Sequence, residues 1–384
     1  SGGSTNVGED GSSDTFTVVL NSEPTSDVVL AISSNDTDES TVSTGSITFT
    51  SGNWDTPQTV SVTGADDNFA DGSQASIVSV SVVDQSSDDS FDSLPDQTVS
   101  VSTADNDVAG FTVSESGGTT SVNESGTTDT FTVVLNAQPV PGQQVVFSIT
   151  SSDTGEATAT SALTFTNGNW DTPQTVTVTG VDDSLLDGSQ SSTFTVSVVD
   201  GSSSDEFDAV ADQTVSGVTV DNDVAGFTIT EISGTTVSES GTTDTFTIVL
   251  DAQPGSDVVL SISSSDTGEA TVTSPLTFTN TNWDTPQTVT VTGVDDDIID
   301  GNINSTLTVS VVDAVSDDDF DSVADQTVTA TTTDNDAAGF TIAETGGATA
   351  VSELGATDTF TIVLNAQPAS DVVFAITSND TGEA

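Results

Sequence analysis

The run Trp283-Asp284-Thr285-Pro286-Gln287-Thr288-Val289-Thr290-Val291-Thr292-Gly293-Val294-Asp295-Asp296 sets a turn before a strict threonine/valine alternation and ends in paired carboxylates. Period-two alternation marks a strand with one face buried and the other in water. The β-branched residues suit such a strand. The same block stands at Trp54 to Asp67 and at Trp170 to Asp183. Three copies make the chain one module repeated, so function is read per module and per junction.

Other landmarks keep the same period. Phe16, Phe131, Phe246 and Phe360 each lie in Asp-Thr-Phe-Thr and are 115, 115 and 114 residues apart. Asp105, Asp221 and Asp334 open three Asp-Asn-Asp triplets and are 116 and 113 residues apart. Solenoid units run roughly 20 to 50 residues, whereas this period is that of a self-contained sandwich domain. The register gives modules over 1–107, 108–223 and 224–336 and a partial fourth over 337–384. The first lacks the equivalent of Ala109 to Glu115, and the last stops after Thr381-Gly382-Glu383-Ala384. This predicts a segment of a longer repetitive polypeptide.

The third module serves as template. Gly226 to Thr230 and Val237 to Gly241 read together as strand A, and Asp244 to Leu250 as strand B. Asp257 to Ser263 reads as strand C, Glu269 to Thr273 as a short edge piece, and Leu276 to Thr279 as strand D. Val289 and Val291 lie on strand E, Leu307, Val309 and Val311 on F, and Thr327 to Thr332 on G. Gly, Pro, Asn and Asp punctuate these runs, and no segment carries a helical period. The expected fold is all-β: tandem seven-stranded antiparallel Ig-like sandwiches forming an elongated rod.

Composition narrows the function. The chain of 384 residues has 61 acidic residues and no Lys, Arg, His, Cys, Met or Tyr, a formal charge of -61. The alternating apolar runs argue against the disorder that so acidic a composition otherwise suggests. Nucleic acid is excluded as a partner, because phosphates need Lys or Arg. No run is long and apolar enough to span a bilayer, so membrane insertion is not expected of this segment. With no His, Cys, Lys or Tyr, catalysis would fall to carboxylates and hydroxyls. A repeated acid pair without surrounding sugar-binding Arg or Tyr is a poor glycosidase, and no enzyme is expected.

The carboxylates are not evenly spread. In an antiparallel sandwich, strands A, C, E and G end at one pole. The first module brings Glu9, Asp36, Asp66, Asp67, Asp105 and Asp107 to those ends. The second brings Glu124, Asp153, Asp182, Asp183, Asp221 and Asp223, and the third Glu239, Asp266, Asp295, Asp296, Asp334 and Asp336. Asp71, Asp187 and Asp300, each before a glycine, follow on the E–F loop. Like charges held that close repel unless protonated or bridged. An all-oxygen donor set borne on loops favours Ca²⁺ over softer ions and over Mg²⁺. The bland reading is a solvated acidic rim.

These same residues resemble the Calx-β family. The resemblance rests on the glutamate after strand A, Gly-Val-Asp-Asp after strand E, and terminal Asp-Asn-Asp. It covers nearly the whole chain, and the run from Phe278 to Asp296 is similar to tandem modules of very large secreted bacterial proteins. It implies a seven-stranded Ig-like sandwich with calcium where Glu239, Asp266, Asp295, Asp296, Asp334 and Asp336 meet. One departure bears on ion number: Asp300-Gly301 stands where exchanger-type members carry a Glu-rich loop. The next module begins about three residues after Asp-Asn-Asp, so calcium at the pole is expected to engage it and stiffen the joint.

The remaining motifs have plainer readings. Trp54, Trp170 and Trp283 are expected to pack over core ends rather than stack on sugars. The Thr-x-Thr runs are expected to be solvated strand faces rather than ice- or sugar-binding arrays. Phe207 and Phe320 are expected to plug the sandwich. Asn35, Asn123, Asn304 and Asn379 stand in glycosylation sequons. The expected function is a calcium-stiffened segment of a secreted, cell-surface filament or adhesin stalk. Its expected partners are neighbouring repeats and other copies, associating end to end or laterally. The alternatives are a calcium-dependent glycan-binding module and a halophile surface protein that uses acidity only for hydration.

Overall fold

The computed structural model describes residues 4–383. The first module carries β1 (Ser4–Gly8), β2 (Ser13–Val18), β3 (Val28–Ser34), β4 (Ser40–Val42), β5 (Ser46–Phe49), β6 (Gln58–Gly64), β7 (Gln74–Val82) and β8 (Gln97–Ala104). The second carries β9 (Phe111–Glu115), β10 (Thr120–Asn123), β11 (Thr128–Leu135), β12 (Gln144–Ser151), β13 (Ala157–Ala159), β14 (Ala162–Thr166), β15 (Gln174–Gly180), β16 (Gln190–Val198) and β17 (Gln213–Val220). The third repeats that set as β18 (Phe227–Glu231), β19 (Thr235–Ser238), β20 (Thr243–Leu250), β21 (Val258–Ser264), β22 (Ala270–Val272), β23 (Leu276–Phe278), β24 (Gln287–Gly293), β25 (Ile303–Val311) and β26 (Gln326–Thr333). β27 (Phe340–Glu344) and β28 (Phe360–Leu364) form a two-stranded sheet in the fourth. Among the described residues the only helices are three-residue 3-10 turns, and none is long and apolar enough to cross a membrane.

Each full module is a sandwich of two sheets. In the third, β19-β26-β25-β21-β23 faces β18-β20-β24-β22. The second module has the same two orders, while the first has only β2-β6-β4 in its smaller sheet. The stretch read as one strand A is thus two strands in different sheets. β18 runs antiparallel to β20, and β19 runs parallel to β26. The positive φ of Ser233 and Gly234 marks the crossover between them.

Alternation fills the cores as expected. Phe246, Ile248, Leu250, Val258, Leu260, Val289, Val291, Leu307 and Val309 are all buried. Outward neighbours are Thr and Ser, which keep the opposite faces wet. Phe207 and Phe320 are fully buried at the ends of 3-10 turns, closing the sandwich. Trp170 and Trp283 pack half-buried against the cores of their modules.

Contacts divide the chain into two compact units. One holds residues 1–183 and 189–220, with two sandwiches in it; the other holds 184–188 and 221–384. Inside the first unit the two modules share more than a linker. Gln138 N donates to Asn68 O at 2.7 Å, and Ala70 N donates back to Gln138 O at 3.1 Å. Ala70, from the first module's E–F loop, is 3% exposed and belongs to the second module's core. Inside the second unit, Gln253 N donates to Ser184 O at 2.7 Å and Leu186 N to Gln253 O at 3.0 Å. Leu186 packs against the third module's core.

Candidate metal centre

Parallel pairing builds the pole. β1 lies beside β8 in parallel register, so both finish at the same end. Glu9 follows β1, and its N–H donates to Ala104 O at 3.1 Å. Asp105 comes next in the chain after Ala104. The third module repeats this, with Glu239 N donating to Thr333 O at 3.2 Å ahead of Asp334.

The glycine that precedes the paired aspartates has a steric cause. Strand β1 crosses directly over Gly64, where a methyl group would overlap the carbonyl oxygen of Gly8. Gly293 meets Ser238 in the same way. Only glycine lets these backbones approach, and the approach seats Glu9 and Glu239 over the ends of β6 and β24.

The first module gathers two overlapping groups. Carboxylate oxygens of Glu9, Asp105 and Asp107 lie within 4.8 Å of one another, and so do those of Glu9, Glu39 and Asp67. Glu9 belongs to both and is 1% exposed. Its Oε2 accepts from Asn106 N at 3.3 Å, while Asn106 Nδ2 donates to Asp66 Oδ1 at 3.2 Å. Asp105 Oδ1 accepts from Asp107 N at 2.6 Å, and Oδ2 accepts from Asp71 N and Gly72 N at 3.1 and 2.7 Å. Asp67 Oδ1 accepts from Phe69 N at 2.7 Å.

The third module repeats the geometry. Glu239, Asp334 and Asp336 bring carboxylate oxygens within 4.8 Å. Glu239 Oε2 accepts from Asn335 N at 3.1 Å, and Asn335 Nδ2 donates to Asp295 Oδ1 at 3.0 Å. Asp334 Oδ2 accepts from Gly301 N at 2.8 Å, and Asp296 Oδ1 from Ile298 N at 2.7 Å.

In the second module, Glu124 is 1% and Glu156 8% exposed. Asp182 and Asp183 follow β15 with exposed side chains. Asp221 Oδ2 accepts from Gly188 N at 2.8 Å, and Oδ1 from Asp223 N at 2.7 Å.

Asp36, Asp153 and Asp266 are exposed and cap their own turns. Their Oδ1 atoms accept from Asp38 N, Gly155 N and Gly268 N at 3.2, 2.9 and 3.0 Å. The acid of this turn that reaches inward is instead the glutamate three residues on: Glu156 and Glu269 are buried and Glu39 is half-buried. Backbone places it. Glu269 O accepts from Val294 N at 2.8 Å and from Thr332 Oγ1 at 3.2 Å, which turns the residue under the sheet. The signal was a glutamate or aspartate-rich turn repeated before the short edge strand, masked by the overall acidity.

Electrostatics marks the pole as incomplete on its own. Among the described residues, Glu239 Oε1, Glu269 Oε2, Asp336 Oδ2, Glu39 Oε2 and Asp71 Oδ1 are buried without a hydrogen-bond partner. Burial, reinforced by Asp105, Asp67 and Asp71, pushes Glu9 up to about 7. Burial first, and neighbouring carboxylates second, also raise Glu39, Glu239, Glu269, Asp71, Asp107 and Asp336. Asp334 is lowered instead, because backbone N–H groups of Gly301 and Asp336 hold its charge. An unpaired buried carboxylate is costly, and a bound cation removes that cost. The residues therefore fit a hard, oxygen-seeking cation.

No family profile matches the chain, and no curated protein sequence does. Solved structures resemble it distantly. The CBD12 structure from CALX1.2 is similar at 14% identity, with a TM-score of 0.21, over 52% of this chain and 78% of that one. Domains 4–9 of surface layer protein SbsC are similar at 16% identity, with a TM-score of 0.24, over 85% of this chain. An endo-fucoidan hydrolase of glycoside hydrolase family 107 is similar at 12% identity, with a TM-score of 0.24, over 86% of this chain. The chain spans 42% of the surface-layer chain's length and 43% of the hydrolase's. These likenesses concern the β-sandwich fold alone.

Proposed function

We propose that this chain is a structural segment of an extracellular filament or adhesin stalk, built of β-sandwich repeats whose poles bind Ca²⁺. The observation that carries the reading is the pair Glu239 Oε1 and Glu269 Oε2, both buried and unpartnered on residues 1% and 7% exposed. Carboxylates are kept in such places when something positive completes them, and this chain has no Lys, Arg or His to do so.

Bound Ca²⁺ would supply the positive charge that neutralises the converging carboxylates. Glu9, Glu39 and Asp67 form one donor group and Glu9, Asp105 and Asp107 another, so the first module's pole has the ligands for two ions sharing the buried glutamate. The protein's own part is positioning. Asp105 holds the E–F loop through Asp71 N and Gly72 N, and that loop carries Asn68 and Ala70 to Gln138 of the next module. Neutralising the pole therefore secures the loop that grips the neighbouring repeat. On this reading no module is an enzyme, and the chain works outside the cell.

The test is a calcium titration of the chelator-treated protein, followed by thermal unfolding and small-angle scattering. Binding should raise the unfolding temperature and narrow the spread of chain dimensions, with Mg²⁺ less effective. Stability that is indifferent to chelation and follows monovalent salt would overturn the reading.

A further inference from the structure

Within its central strand pair the outward positions of the smaller sheet carry no charge, on a chain of net charge -61; the third module's Asp251 lies at the rim, accepting from Thr228 Oγ1 at 2.8 Å. In the second module Thr128, Thr130 and Thr132 of β11 stand directly opposite Thr179, Thr177 and Thr175 of β15. In the third, Thr243, Thr245 and Thr247 stand opposite Thr292, Thr290 and Thr288. The first keeps the pattern with Ser13, Thr15 and Thr17 opposite Thr63, Ser61 and Thr59. The acids in these strands have the other parity. Asp14, Asp129 and Asp244 pair with Val62, Val178 and Val291, which point into the core.

The result is a two-dimensional hydroxyl and methyl lattice, with rows about 4.8 Å apart across strands and about 6.7 Å apart along them. We infer that this threonine face is a lateral contact surface, and that its partner is the same face on a second copy of the chain. Three properties point to that occupant. A threonine hydroxyl both donates and accepts, so two identical faces are complementary, as an isologous contact requires. Threonine is stiff at χ1, so ordering it at an interface costs little side-chain entropy. And a cationic partner is drawn to the poles, where the carboxylates are, whereas approach of another copy is unopposed only where carboxylates are missing. A glycan partner is disfavoured, since the lattice offers no aromatic platform among the described residues.

This goes beyond the calcium reading and does not depend on it. It assigns lateral association to direct contact between neutral faces.

The experiment is a charge swap on exposed lattice positions, read by sedimentation over a concentration series. One variant carries Thr175→Asp with Thr288→Asp, and another Thr175→Lys with Thr288→Lys. A control carries Gln85→Asp with Val315→Asp, which adds the same charge on loops. The unaltered chain should self-associate, in calcium and in chelator alike. Each face variant alone should associate at least about tenfold more weakly, the scale of a like-charge contact. Mixing the Asp and Lys variants should restore association between them, which also shows that both are folded. A chain that stays monomeric throughout, a mixture that fails to associate, or a loop control as impaired as the face variants would each overturn the proposal.

Discussion

Asp105 Oδ2 lies 2.7 Å from the backbone nitrogen of Gly72, 33 residues earlier in the chain. Its other oxygen accepts from Asp107 N, and its carboxylate is also one of the group around Glu9. One side chain thus ties strand β8, the E–F loop and the cation pole together. Gly72 adopts a positive φ of 71° to present its N–H, as do Gly188 and Gly301 at 71° and 76°, a conformation that glycine takes without strain.

The pole's buried glutamate should respond in opposite directions with and without metal. Glu239→Gln removes a buried charge while keeping the shape and an oxygen for Asn335 N. In chelator this variant should melt at or above the temperature of the unaltered chain. In calcium it should gain far less from the ion, losing about 1–3 kcal/mol of calcium-dependent stabilisation, the scale of a lost charged ligand. Thermal melts of both proteins, each with calcium and with chelator, measure the crossover. A variant stabilised by calcium as strongly as the unaltered chain would remove Glu239 from the site.

The pH dependence follows from Glu9. Its carboxyl is raised from about 4.5 to about 7 in the folded chain, so the folded state holds the proton more tightly than the unfolded state. Below about 4.5 both states are protonated and the stabilising effect of that proton is complete; it is lost as pH rises through about 7. In chelator, stability contributed by the poles should therefore fall across that window. Calcium competes with the proton and should reverse the trend, so that metal-bound protein is more stable at pH 8 than at pH 5. Denaturation midpoints measured across the window, with and without calcium, check both arms. Asp88 works the other way. Thr25 and Ser90 hold its charge and lower it, so its contribution is lost only in strong acid.

Much of this was legible because strands write their pattern into sequence. Phe246, Val289 and Leu307 declare their burial by alternation alone. Glu239, Asp334 and Asp336 declare a shared pole because each closes a strand and recurs in every module. Glu39, Glu156 and Glu269 were not legible. They sit in short turns within a uniformly acidic chain, and their burial comes from backbone bonds made by distant strands, such as Val294 N to Glu269 O. Asp266 has the right topological address, but its carboxylate faces its own turn. The pairing of Gln138 with Asn68 and Ala70 was equally hidden. It joins two modules, so it follows no periodicity within an element. The recurrence of Ala-Gln-Pro at 137, 252 and 366 is its only trace.

Gly293 gives a test of the pole that does not involve metal. Its missing side chain is what lets Ser238 pass. Gly293→Ala forces β19 away from β24 and shifts Glu239 with it, at a cost of about 1–3 kcal/mol for overpacking. Chemical denaturation in chelator should show the loss, and calcium affinity should fall as well. Gly45→Ala makes the comparison, because no atom lies within 4 Å of a methyl group there. Equal effects of the two substitutions would discount the close approach.

The junction within the first unit makes the last prediction. Ala70 leaves the first module in sequence but is buried in the second module's core. Ala70→Asp would place a carboxylate among the apolar side chains of that core. The second module should lose about 2–4 kcal/mol, the range for burying an unpaired charge after local relaxation. Withdrawing the loop instead would break the two bonds between Gln138 and the first module. Hydrogen exchange should then show Ala70 N and Gln138 N losing protection together, while Phe131 and Val176, deep in the same sandwich, keep theirs in proportion to the remaining global stability. Protection of Gln138 N that survives the substitution would mean that the grip between modules does not depend on the apolar residue beside it.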